Sequence, residues 1–205
     1  MTERGRFITL EGIDGAGKST QFDAVAHALR VRGLRLLQTR EPGGTPLGEA
    51  LRELMLNEPM TPATETLLMF AARAEHLASV IRPALAAGQW VLCDRFTDAT
   101  YAYQGAGRGV ADEHIAALED WIHPDLQPDL TLLFDIPPEV AAARLAKSRH
   151  ADRFESEPVD FFAAARATYL KRAAAEPARF FVVDGTREPD SIKRQLNELM
   201  ARWDG

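Results

Sequence analysis

Residues Gly12-Ile13-Asp14-Gly15-Ala16-Gly17-Lys18-Ser19 have the GxxxxGK[ST] spacing of a phosphate-binding loop and follow the apolar stretch Phe7-Ile8-Thr9-Leu10. Each residue type has a mechanical duty in such a loop. Glycines let backbone N–H groups converge on phosphate oxygens, Lys18 carries positive charge to the β and γ phosphates, and the Ser19 hydroxyl can ligate Mg²⁺. A helix opening at this point adds the partial positive charge of its N-terminus. Gly12 to Ser19, with Thr20 behind them, therefore mark a nucleoside triphosphate site. The plain alternative is a glycine-rich turn with an incidental lysine.

Three further polar groups stand just after apolar runs. Arg40-Glu41 follows the run ending at Gln38, Asp94-Arg95 follows Trp90-Val91-Leu92-Cys93, and Glu11 precedes the loop. In an open parallel sheet, ligands collect at the carboxyl ends of strands, so these positions are the first candidates for chemistry. Asp94 sits where a strand-end carboxylate would hold Mg²⁺ directly or through water; capping a loop is its plainer use. Arg95 fits an acceptor phosphate, because guanidinium matches phosphate oxygens in a bidentate way; a surface ion pair is the alternative. Arg52 and Arg73, each on an expected helix, are further candidates to face the cleft, although either could lie on a solvated helix face.

The elements that must position these groups can be read from periodicity. Phe22, Val25, Ala26 and Leu29 fall at helical spacing and Gly33 ends that helix; Leu34 to Gln38 reads as a second strand. Pro42-Gly43-Gly44 forces a turn, and Pro46 opens a helix through about Leu56. Thr61-Pro62 starts a long helix carrying Leu67, Leu68, Phe70, Leu77 and Val80, which Pro83 should kink before Gly88. Asp112 is expected to cap a helix through Trp121. A buried strand over Leu130 to Ile136, helices over Pro138 to Ala146 and Val159 to Ala175, a strand over Phe180 to Asp184 and a helix over Asp190 to Trp203 complete the pattern. Strands alternating with helices predict an α/β fold, a parallel sheet with helices on both faces. Between them, Lys147 to Glu155 is charged and aperiodic, as expected of a mobile surface segment.

A chain of 205 residues suits one α/β domain over 1–205. Its net charge of −6 offers no global field for a nucleic-acid backbone, so no nucleic-acid partner is expected. Cys93 is the only cysteine, which rules out an intramolecular disulfide and a cysteine-rich zinc site. With no apolar run of membrane-spanning length, the expectation is a cytoplasmic protein with no membrane partner.

Taken in order, Glu11-Gly12-Ile13-Asp14-Gly15-Ala16-Gly17-Lys18-Ser19, Arg40-Glu41-Pro42-Gly43-Gly44-Thr45, Asp94-Arg95-Phe96 and Tyr101-Ala102-Tyr103-Gln104-Gly105 resemble the bacterial thymidylate kinases over nearly the whole chain. The resemblance implies a P-loop NTPase fold, a three-layer α/β sandwich, and transfer of the γ-phosphoryl of ATP, with Mg²⁺, to thymidine 5′-monophosphate. It also implies a homodimer. It places Asp14 near the 3′-hydroxyl of the acceptor sugar, Arg95 and Arg52 on its phosphate, and Glu41 near the magnesium and that phosphate. Arg73, Thr100 and Gln104 would read thymine, and Tyr103 would close off the 2′ side of the sugar. The family sets an aromatic residue four before the base-reading arginine, where this chain has Met69; Phe70, three before Arg73, is the expected stacking residue, with Met69 lining the pocket as the alternative. The charged segment resembles the family's lid, at about 147–157. Since the loop's variable positions Ile13, Asp14 and Ala16 include no arginine, the second catalytic cation is expected from the lid, at Arg149 or Arg153.

Other readings stay open at this level. One is another P-loop kinase acting on a different nucleotide or nucleoside, and another is a nucleotide-hydrolysing switch, against which stands the absence of an Asn-Lys-x-Asp motif. A DNA-processing ATPase would need a basic surface.

Overall fold

The computed structural model describes residues 3–146, 153–154 and 157–204. Among them are five parallel strands: β1 (Phe7–Glu11), β2 (Leu36–Arg40), β3 (Trp90–Asp94), β4 (Leu130–Asp135) and β5 (Phe180–Asp184), in the order β2-β3-β1-β4-β5. β1 is central and fully buried, with Phe7 opposite Val91 on one side and Ile8 opposite Leu130 on the other. Its side chains alternate between faces. Ile8 and Leu10 enter a large cluster with Val25, Ala26, Leu29, Leu132 and Leu196, whereas Phe7 joins Leu77, Ile81, Leu85 and Val91 in a second one. These are the two helical layers of the sandwich.

The helices are α1 (Lys18–Val31), α2 (Pro46–Asn57), α3 (Pro62–His76), α4 (Arg82–Ala86), α5 (Thr97–Thr100), α6 (Asp112–Ile122), α7 (Pro138–Leu145), α8 (Val159–Ala175) and α9 (Pro189–Arg202). α2 and α3 start as their sequences dictate, with Thr45 and Thr61 accepting from Gly48 N and Thr64 N and a proline at the first helical position. Asp112, in contrast, is the first residue of α6 and makes no side-chain cap; Ala111 holds the cap position. β2 runs two residues later than its apolar pattern suggests, because its pairing with β3 extends to Arg40 opposite Asp94. That register puts Glu41 at the carboxyl edge of the sheet, its N–H donating to Asp94 O at 2.9 Å.

Two segments widen into π-helical turns. Leu77–Ile81 lies directly before Pro83, so the break expected at that proline is accommodated one turn earlier, where the ladder can absorb its missing N–H. Tyr101–Gly107 continues α5 and carries Tyr103 and Gln104. No sequence pattern marks this second turn.

α5 is fastened to the far side of the sheet through Asp98, which is 1% exposed. Its carboxylate accepts from Arg172 Nε of α8 at 2.5 Å and from Arg179 Nη1 at 2.7 Å, and Arg179 Nη1 also donates to Thr131 Oγ1 on β4. Removing one partner of such a buried set leaves the other charges uncompensated. Asp98→Ala is therefore expected to lower unfolding free energy by about 3–5 kcal/mol in urea denaturation; a loss below about 1 kcal/mol would mean that the arginines find other partners.

Candidate active site

The loop after β1 is shaped by backbone that only glycine tolerates. Gly12 (φ 134°) and Gly15 (φ 80°) lie in the left-handed region, and a Cβ on Gly12 would sit 2.4 Å from Phe134 O. Lys18 opens α1 and turns back over the loop, its ammonium donating to Gly12 O at 2.9 Å and Ile13 O at 3.1 Å. Burial and then Arg95 push the Lys18 ammonium down from its ordinary pKa, while Asp14, Asp94 and Glu11 hold it back. Gly15, Ala16, Gly17, Lys18, Ser19 and Thr20 all line one cavity of about 620 Å³. Gly12 and Ile13 lie behind its wall, Ile13 being a core residue at 1% exposure.

The end of β3 builds the next part. Arg95 has φ 70°, the single non-glycine in the left-handed region among the described residues, and its N–H donates to Leu10 O at 3.0 Å. Its guanidinium donates to Gly12 O, Tyr169 OH and Tyr103 OH at 3.0–3.1 Å and forms an ion pair with Asp14 at 2.5 Å. Burial works against the Asp14 carboxylate, but Arg95 and Lys18 outweigh it and hold its pKa below the usual range. Glu11, fully buried, accepts from Phe96 N at 2.6 Å and Tyr169 OH at 2.9 Å. Burial, then Asp98, pushes the Glu11 carboxyl up to about 8, so the counter-charge of Arg95 is Asp14. Asp94, on the cavity wall, has its Oδ1 buried and without a hydrogen-bond partner among the described residues.

Glu41 does not offer itself to a metal as expected. Its Oε2 accepts from Arg73 Nε at 2.7 Å and its Oε1 lies 3.0 Å from His76 Nδ1, and all three side chains are nearly fully buried. Burial opposes its charge, yet Arg73 and His76 lower its pKa. The geometry makes Glu41 the anchor of Arg73, whose Nη2 donates to Thr100 Oγ1 at 3.1 Å and whose Nη1 is buried without a partner among the described residues. Arg52, whose Nη1 donates to Pro42 O, faces the same cavity, as do Thr100, Tyr103 and Gln104.

Phe70 corrects an expectation. It is 2% exposed, lies in a cluster with Tyr101 and Ile115, and backs onto the Arg73 guanidinium, 4.8 Å from its ring centroid. Met69, at the next position around the helix, lines the cavity instead. Three-residue and four-residue spacings share a helix face roughly, and tertiary packing decided between them.

Arg153 is described and Arg149 is not: most of the expected lid, including Arg149, lies outside the described residues. Arg153 does not line the cavity; its guanidinium pairs with Glu65 of α3. Three other cations do line it, Arg40 at the end of β2, which is paired with Glu49, Arg144 at the end of α7 and Arg187 after β5. Arg144 donates to Gly15 O at 3.3 Å and Gly185 O at 2.8 Å, so a cation stands beside the loop without recourse to the lid. The signal available for it was only a basic residue in the last turn of a helix, which the helix dipole favours anyway.

One cavity thus joins a phosphate loop, a strand-end carboxylate whose buried Oδ1 has no partner among the described residues, a rigid arginine, and a polar recess in which Arg73 Nη1 has none among them either. That arrangement can hold two phosphorylated ligands end to end, with the donor phosphates at the loop and an acceptor between Arg95 and Arg73.

The family model described as "Thymidylate kinase" matches residues 10–196. The thymidylate kinase of Methylobacillus flagellatus is 59% identical over 200 residues, which is 98% of each chain. That of Bordetella pertussis is 60% identical over 206 residues, 98% of this chain and 99% of its own. The crystal structure of thymidylate kinase from Ehrlichia chaffeensis superposes with a TM-score of 0.79 at 30% identity, covering 97% of this chain and 99% of that one. On motif, fold and cavity alike, the chain belongs to the thymidylate kinase family.

Proposed function

We propose that this chain transfers the γ-phosphoryl group of ATP to thymidine 5′-monophosphate, giving the diphosphate that feeds thymidine triphosphate synthesis. The observation that carries the reading is the single cavity in which Lys18, Arg95 and Arg73 stand in sequence, each held by carbonyl or carboxylate partners before any ligand arrives. Phosphoryl transfer asks a protein mainly for positioning and for fixed positive charge, and this cavity has both. An acceptor phosphate oxygen is already anionic, so the reaction needs no general base. Lys18 and the loop amides hold the donor β and γ phosphates, while Arg95 and Arg52 hold the acceptor phosphate. Asp14 takes the sugar 3′-hydroxyl. Tyr103 is fixed by three hydrogen bonds, with Asp14 N, Asp14 Oδ2 and Arg95, and by an edge contact with Phe161, so its ring cannot swing away from a 2′-hydroxyl. A ribonucleotide is excluded by collision. Met69, Arg73, Thr100 and Gln104 surround the base. Arg144 adds positive charge beside the loop, and Arg149 is the lid arginine proposed to add more at the transferred group, since Arg153 is held by Glu65.

The residues present fit Mg²⁺. Asp94 Oδ1, buried and without a partner among the described residues, and the Ser19 hydroxyl share the cavity wall, and they would hold the ion directly or through water. No group of three His, Cys, Asp or Glu able to hold a metal exists among the described residues, as suits a cation that takes most of its ligands from phosphate and water. When bound with the nucleotide, the ion supplies charge neutralisation at the phosphates.

We also propose a homodimer. In its favour are large exposed apolar side chains on contiguous helices: Leu47 and Leu54 on α2, Leu67 on α3 and Trp121 on α6. No helix among the described residues is long and apolar enough to cross a membrane, and the cytoplasm, where ATP and nucleotides are available, is the proposed location.

Assayed with ATP and Mg²⁺ across the nucleoside monophosphates, the protein is expected to prefer thymidine monophosphate; a far faster reaction with another monophosphate, or release of free phosphate without diphosphate formation, overturns the reading. In the same assay Arg95→Ala should lower kcat by roughly 10²- to 10³-fold with the circular dichroism spectrum retained, and near-normal turnover removes Arg95 from the mechanism. Asp94→Asn should raise the Mg²⁺ concentration for half-maximal rate by about tenfold or more; an unchanged Mg²⁺ dependence assigns Asp94 to the loop alone. Sedimentation that yields only a single-chain mass at micromolar concentration rules out the dimer.

A further inference from the structure

Glu65, in the first turn of α3, is 1% exposed and joins three parts of the molecule. Its Oε1 accepts from Gln104 Nε2 at 2.8 Å, its Oε2 accepts from Arg153, and Arg108 Nε lies 3.5 Å from Oε1. The two guanidinium groups give the carboxylate its counter-charge. Nothing in the sequence singles out this residue, since acids are favoured in the first turn of any helix.

A carboxylate has no donor, so the end of the Gln104 side chain that faces it is the nitrogen. The orientation of the amide is fixed by chemistry. Gln104 belongs to the cavity wall, and no described residue donates to its Oε1, which is left as an acceptor. On the same wall Arg73 Nη1 is a donor without a partner among the described residues, held by the bonds of Nε to Glu41 and Nη2 to Thr100. Beside the Thr100 hydroxyl, the wall therefore shows a base a donor, Arg73 Nη1, and an acceptor, Gln104 Oε1. A 2,4-dioxopyrimidine carries the complement, an O4 acceptor beside an N3–H donor. A 4-aminopyrimidine carries the reverse, an amino donor beside an N3 acceptor, and it would suit this wall better if the Gln104 amide were turned over.

We infer that Glu65 is a specificity-determining positioning residue: by accepting the Gln104 amide it keeps the Gln104 oxygen toward the base, so that the pocket takes an imide N–H and rejects a 4-aminopyrimidine. The inference rests on the reading of this cavity as a thymidine monophosphate site. Discrimination of this kind is strong because the wrong base leaves buried polar groups unpaired on both sides.

Thymidine monophosphate and 5-methyldeoxycytidine monophosphate differ only at this edge, so the ratio of their kcat/KM values reads the orientation of Gln104. In Glu65→Gln the partner can donate as well as accept, the Gln104 amide is free to turn, and the ratio is expected to fall about tenfold or more. The loss should appear mainly as a higher KM for thymidine monophosphate. The exchanged pair Glu65→Gln with Gln104→Glu again presents an acceptor to the base and should recover much of the ratio. A role in structure alone would slow both substrates equally; an unchanged ratio in Glu65→Gln overturns the inference and leaves the kinase reading standing. Failure of the unaltered protein to phosphorylate thymidine monophosphate overturns the kinase reading, and this inference with it. Should Glu65→Gln not fold, the side-chain amide protons of Gln104 in the unaltered protein decide by NMR. Slow solvent exchange with and without thymidine monophosphate is expected, and fast exchange in either state refutes the lock.

Discussion

The ion pair between Asp14 and Arg95 is the constraint on which the cavity is built, because it closes the gap between the ends of β1 and β3. Arg95 reaches Asp14 from a left-handed backbone, a conformation that costs a non-glycine residue about 1–3 kcal/mol. The surroundings leave it no alternative. Its own N–H is spent on Leu10 O, the next N–H on the Glu11 carboxyl, and its guanidinium on Gly12 O, Asp14 and two tyrosines. The partners come from four parts of the chain: β1, the loop, the π turn after α5, and α8. Disturbing any of these elements would move the same guanidinium.

Electrostatic organisation follows from that pair. Burial, and then the nearby Arg95, depress the Lys18 pKa, and the two cations would repel one another were Asp14 and Asp94 not set around them. The cavity thus holds repelling charges in place in advance of the phosphates that would relieve them. A site of this kind does not reorganise when charge moves from donor to acceptor, which is where preorganised electrostatics has its advantage over water. The end proposed for the base works on another basis. There Glu41 and Glu65 are each consumed in orienting a neighbour, Arg73 and Gln104, and it is the neighbours that face the cavity.

The features legible in the sequence are those whose duty is local. The glycines and Lys18 of the loop act within eight residues, and Asp94-Arg95 announces itself by following an apolar strand. Helix α8 and strand β5 occupy the residues that periodicity assigned to them. The features that could not be read depend on contacts between distant segments. Whether Met69 or Phe70 faces the cavity is decided by the packing of Phe70 on Tyr101 and Ile115. Glu41 reads as a metal-side carboxylate until His76, 35 residues away, and Arg73 are seen to take its oxygens. Arg144 and Glu65 carry only the charge preferences of ordinary helix ends. Strand β2, half-exposed at the sheet edge, has the weakest apolar signature, and its boundary shifted accordingly.

The wide turn at Tyr101–Gly107 gives this wall of the cavity a property that no single side chain has. A π turn amounts to an α-helix with one residue to spare, so the bearing of Tyr103 and Gln104 is set by a count of residues as much as by their identity. Loss of one residue from the turn would restore an ordinary helix and rotate the residues beyond it by about 100°, carrying Tyr103 off Asp14 and Gln104 off Glu65 while the phosphate loop stayed intact. On the proposed reading of the site, acceptor choice is in this sense stored in helical pitch. Chain length at this one place is a means of altering which nucleotide is accepted without altering how phosphate is held.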